Sequence, residues 1–116
     1  GANITSIFQA DATNGGFVSK VICKAIGSPA ATVIRIFLHT TTGAFTPGTT
    51  NTAANTFLLR EFTAAAWTSS NTTSSPEIEI GINLAIPPGM RLLAAFGTST
   101  GASGNGYNPL VVAGKY

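Results

Sequence analysis

The stretch Glu77-Ile78-Glu79-Ile80-Gly81-Ile82-Asn83-Leu84 alternates without a break between an apolar residue and a polar or small one. A strand sends successive side chains to opposite faces, so Ile78, Ile80, Ile82 and Leu84 are expected to point inward and Glu77, Glu79, Gly81 and Asn83 outward. A helix would scatter the same four apolar residues around its axis. Pro87-Pro88-Gly89 then turns the chain, Pro88 presetting φ and Gly89 supplying the positive φ that a type II turn requires. Met90, Leu92, Ala94 and Phe96 return as another strand.

Strand signals continue in both directions from this anchor. Phe17, Val21, Cys23 and Ala25 share one phase of a segment whose other phase holds Lys20 and Lys24, and its ends carry the turn formers Asn14-Gly15-Gly16 and Gly27-Ser28-Pro29. A β-branched run follows, with Ile34, Ile36 and Leu38 on one face and Val33, Arg35, Phe37 and His39 on the other. Residues 56–63 form a strand with apolar residues in both phases, a pattern that implies burial on both faces, here by another subunit. Residues 110–113 make the last strand, and a short strand falls within residues 4–8. A single helical turn around residues 63–67 is the one place where helix fits. Turn signals separate these segments throughout, so the chain is expected to be all-β, a single antiparallel β-sandwich or jelly roll of about seven to eight strands.

Between the strands lie long uncharged stretches at residues 40–55, 68–75 and 97–108, rich in Thr, Ser, Asn and Gly. The first is read as an extended loop that anchors no core, and loops of such length in compact domains are usually functional or bound to something. Only ten of 116 residues are charged, against 17 Thr and 17 Ala. Ordinary soluble domains carry about 25% charged residues, which hold copies of a protein apart. A chain without them covers its surface with hydroxyls and amides or with neighbouring subunits. Its length suits one domain, read as residues 11–116, with residues 1–10 as an N-terminal arm or edge strand, and a 44% hydrophobic content supports a core without metal or disulfide. The start at Gly1 without Met points to processing or trimming. A net charge of +2 is too small to drive nucleic-acid binding by counterion release, and no run of 18 apolar residues provides a membrane-spanning helix.

Chemistry is sparse. Asp11 and His39 are the only residues of their kinds, and no Gly-x-Ser-x-Gly nucleophile elbow accompanies them. His39 reads as a strand-end residue on the more polar face. Glu77 and Glu79 share a strand face at about 7 Å, superficially a glycosidase spacing, but they read as solubilising carboxylates. One Cys and one His cannot build a zinc site, and no carboxylate cluster suits calcium. Gly101, Gly104 and Gly106 lack the lysine and helix of a phosphate cradle. Cys23, on an apolar strand phase, is expected to be a buried thiol acting as a small hydrophobe. Asn3 and Asn71 sit in glycosylation sequons of the kind that chance supplies in a chain so rich in Asn and Thr. No catalytic, metal or cofactor-binding residue is assigned.

The order of a basic strand (Lys20 to Lys24), Val33-Ile34-Arg35-Ile36-Phe37-Leu38, Leu58-Leu59-Arg60-Glu61, and Leu84-Ala85-Ile86-Pro87-Pro88-Gly89-Met90-Arg91-Leu92 resembles short virion structural proteins of tailed bacteriophages over residues 16–116. The resemblance implies a non-enzymatic β-sandwich on the virus particle, a capsid decoration (cement) protein or a tail or neck component, with other virion proteins, the major capsid protein among them, as partners. Such a protein is expected to form a homo-oligomer, with a trimer the favoured state. Interface residues are then expected among Ile4, Ile7, Phe8, Phe45, Phe57, Trp67, Tyr107 and Tyr116, with residues 2–10 as an attachment arm whose loss leaves the fold intact. Two other classes fit the composition: a carbohydrate- or receptor-binding module using Trp67, Phe62 and Tyr107 on one face, and a pilus-like or adhesin subunit.

Overall fold

The computed structural model describes residues 4–101 and 104–115; Asn3 and Tyr116 lie outside them. Its strands are β1 (Thr5–Gln9), β2 (Gly16–Ile26), β3 (Thr32–His39), β4 (Thr56–Ala64), β5 (Glu77–Ile86), β6 (Arg91–Phe96) and β7 (Gly106–Lys115), and no helix occurs among the described residues. They form two antiparallel sheets, β1-β6-β3-β4 and β5-β2-β7, stacked as a sandwich. Every connection except β3–β4 passes from one sheet to the other. The type II turn forms as its residues require, with Gly89 at φ 76° and the Met90 N–H donating to the Pro87 carbonyl at 3.1 Å.

The core is the set of inward residues of both sheets: Val18, Val21, Cys23, Ile34, Ile36, Ile78, Ile80, Ile82, Ile86 and Leu92 are buried in one cluster. β5 keeps its alternation as expected. β2 does not keep a single phase, because its pairing shifts between Val18 and Lys20. A bulge adds one residue and so turns everything beyond it to the other face. Val18 is therefore buried and Phe17 is exposed, whereas beyond the bulge Val21, Cys23 and Ala25 point inward.

β4 is an edge strand, and the chain itself leaves Phe57, Leu58 and Phe62 exposed on it. Residues 5–9 take the second of the two forms expected for the N-terminus, an edge strand: β1 pairs with β6, and Ile4 and Ala10 on either side of it are buried, so this segment packs on the folded body. The 40–55 loop does anchor packing. Its Phe45 ring lies edge-on to His39 at 5.1 Å and beneath it Arg91 sits 5.8 Å from the ring centre. Leu93, opposite Phe37 on the outer face of the same sheet, is fully buried although it lies outside the main core cluster. The last strand is also longer than expected, starting at Gly106 instead of Leu110.

Candidate functional site

The structure scatters the catalytic candidates. Asp11 closes the β1–β2 turn, its Oδ2 accepting the N–H groups of Thr13 at 3.1 Å and Asn14 at 2.8 Å. His39 lies on the same outer face as Arg35 and Phe37, as expected, but is fully buried there beneath the 40–55 loop. Glu79 pairs with Lys20 at 2.9 Å on the outer face of the β5-β2-β7 sheet, and Glu77 is exposed opposite Lys24 in the register. Burial pushes the Cys23 thiol up to about 11, so it stays protonated and inert at neutral pH. Among the described residues no group of three or more His, Cys, Asp or Glu side chains is arranged to hold a metal ion.

The loops gather where the sequence gives no sign of it. At the end of the sandwich where β2 stops, the connections 27–31, 65–76 and 97–105 bind one another. Trp67 N–H donates to the Pro29 carbonyl (3.0 Å), Ser69 N–H to Ser28 Oγ (2.9 Å), Ser28 N–H to Asn105 Oδ1 (3.0 Å) and Ala30 N–H to the Thr100 carbonyl (2.9 Å). Beside β2 the 65–76 connection borders an open groove of about 510 Å³ lined by Ala25, Gly27, Trp67 and the hydroxyls and amide of residues 69–75. Trp67 is half-buried, one side packed on the core. Lys24 reaches the Ser75 carbonyl at 3.0 Å from the neighbouring strand, and the groove lining itself is neutral.

The expected interface residues divide by burial. Tyr107 is buried in the sandwich's own core, its hydroxyl bonding the Ala65 carbonyl at 3.5 Å, so it cannot share a binding face with Trp67 and Phe62; Ile4 is buried outside that core, at a hollow it lines with Phe37 and residues 51–53. Ile7, Phe8 and Trp67 are partly buried against that core, and Phe45 is spent on His39. Phe57 is 50% exposed. Two residues outside the expected set are as exposed: Leu58, at 49% beside it, and Leu110, at 62% on edge strand β7. The register places Leu110 next to Ile22 and Val112 next to Lys20, so the outer face of the β5-β2-β7 sheet carries an apolar row flanked by the Lys20–Glu79 pair. Alternation of Leu110, Val112 and Asn108 against Val111 and Pro109 is the signal that could have found it, once the strand is extended to Gly106. No family model, curated protein or solved structure matches the chain.

Proposed function

We propose that this chain is a non-enzymatic structural subunit of a virus particle, a capsid decoration protein that associates with copies of itself, as a trimer, and with the surrounding shell. The observation that carries this reading is the large apolar surface left at both sheet margins: Phe57, Leu58 and Phe62 on β4, and Leu110 and Val112 on β7. Edge strands of free-standing proteins are usually guarded against pairing by charges or bulges; β4 carries a bulge where its pairing with β3 shifts, yet the apolar side chains on either side of it stay exposed. Exposed apolar clusters with little charge around them mark contact surfaces. Arg60 and Glu61 on β4 do not guard its edge, since each is engaged within the chain: Glu61 with Arg35 at 2.8 Å, Arg60 with carbonyls of β5. Size-exclusion chromatography with light scattering tests the reading. A trimer or larger ring is expected, dissociated by Leu110→Lys or Leu58→Lys; a wild-type chain that stays monomeric at about 1 mM overturns it.

A second reading rests on the groove. A half-exposed indole at the foot of a neutral wall of hydroxyls suits a neutral saccharide, which stacks an apolar ring face on an aromatic and bonds through its own hydroxyls. Trp67 is the single tryptophan, so its fluorescence reports the groove alone. Saturable quenching by neutral oligosaccharides is the expected result; unchanged emission across such a panel removes this reading.

A further inference from the structure

His39 occupies an unusual place. Its ring is fully buried on the outer face of the β1-β6-β3-β4 sheet, under the 40–55 loop, and its Nε2 has no hydrogen-bond partner. The hydrogen-bond chain around it fixes which nitrogen carries the proton. Asn55 ties the loop together: its Nδ2 donates to Thr41 Oγ1 (3.2 Å) and to the Thr50 carbonyl (2.9 Å), and its Oδ1 accepts from Thr52 N–H (2.8 Å). The Thr56 hydroxyl gives its only proton to the same Oδ1 at 2.9 Å, so toward His39 it can only accept. His39 Nδ1, 3.2 Å from that hydroxyl, is therefore the protonated nitrogen, and Nε2 carries a bare lone pair. A second proton on the ring would enter at Nε2, where no acceptor waits.

The charges around the ring make that proton more unwelcome. From β6 the register sets Arg91 opposite His39, and its guanidinium is held there by the Thr41 carbonyl at 3.2 Å and the Phe45 face. From β4 comes Thr56, and the nearby charged residues of that strand look elsewhere, Arg60 to β5 and Glu61 to Arg35. β1 places the neutral Gln9 beyond Arg91, and residues 40–55 contain no charged side chain. Adding a proton to His39 would thus set two cations side by side under an uncharged loop.

We propose that His39 is an acid-sensitive latch for the 40–55 loop: neutral, it holds the loop on the sheet through Thr56 and Phe45, and protonated, it drives the loop off. Burial first, and Arg91 second, hold the closed-state imidazole below its ordinary value of 6.5. An opened loop returns the ring to water and to about 6.5. The closed state is therefore fully stable above about pH 6.5 and loses stability as the pH falls through the lower closed-state value. Opening would uncover the apolar floor beneath it, Leu93 and Phe37, without requiring the two-sheet core to separate.

Hydrogen exchange read by mass spectrometry on the full chain, at about pH 7.5 and about pH 5 and corrected for intrinsic rates, tests this. Protection of residues 40–55 should fall by up to about tenfold per pH unit below 6.5, while β2 and β5 keep theirs. His39→Phe, which fills the same space without titrating, should abolish the pH dependence. Because that variant loses the Thr56 bond, a second measurement uses the wild type: His39 is the chain's single histidine, so its ring signals in NMR are unambiguous. They should titrate below 6.5 together with the amides of residues 40–55. An imidazole that titrates near 6.5 while those amides stay still, or loop exchange that does not change with pH, overturns the latch.

Discussion

At the residue scale, local backbone demands decide more here than chemistry does. Gly89 is the sharpest case: it sits at φ 76°, and a Cβ at this position would lie 3.0 Å from Thr42 of the 40–55 loop. Gly89→Ala should therefore lower stability by at least the 1–2 kcal/mol that a left-handed conformation costs an L-residue, roughly, visible as a drop in the denaturation midpoint with no change in slope. The turn itself was legible, because Pro-Pro-Gly states its φ angles outright. The contact with Thr42 was not, since nothing local says which loop lies against the turn. His39 makes the same point. Its position at a strand end could be read from Thr32–His39, but its burial depends on Phe45, six residues along the chain, folding back over it.

At the scale of the element, one inserted residue outweighed the pattern. The alternation of β5 survives intact because its buried face is all isoleucine up to Ile82. β2 reads almost as cleanly, yet the bulge after Val18 exchanges the roles of Phe17 and Val18, and bulges leave little trace in hydrophobic periodicity. β4 shows how two edges are joined. Arg60 bends across the margin of the sandwich, its Nε 3.1 Å from the Gly81 carbonyl and a terminal nitrogen 3.3 Å from that of Ile82, while another bonds the Leu59 carbonyl at 2.8 Å. These carbonyls lie beside Asn83, whose φ of 49° marks the irregular stretch of β5. One guanidinium thus satisfies acceptors in both sheets. Arg60→Ala should cost about 1 kcal/mol in thermal or denaturant unfolding, discounted for exposure to water. Arg60→Lys should recover little of it, because an ammonium cannot span three carbonyls in a plane.

At the scale of the whole molecule, the sandwich measures 46 × 28 × 19 Å. Ten strand residues reach about 34 Å, so the remaining length belongs to the loops at the two ends. One end carries the groove beside Trp67 and the other the covered His39, an arrangement set by which connections cross between the sheets. The assembly proposed above has a distinct signature at this scale. With few charges to screen, self-association through Leu58 and Leu110 should persist from about 0.05 to about 1 M salt, where contacts built on ion pairs would weaken; light scattering across that range checks it. The sequence by itself determined the all-β class, most strand positions and the poverty of charge, because period-two patterning and turn chemistry are local properties. Only the tertiary structure decided the order of strands, the phase of β2, the burial of Ile4, His39 and Tyr107, and which apolar residues face water. Each of these depends on which distant segment lies across the sheet, and that choice is made by packing between residues far apart in the chain.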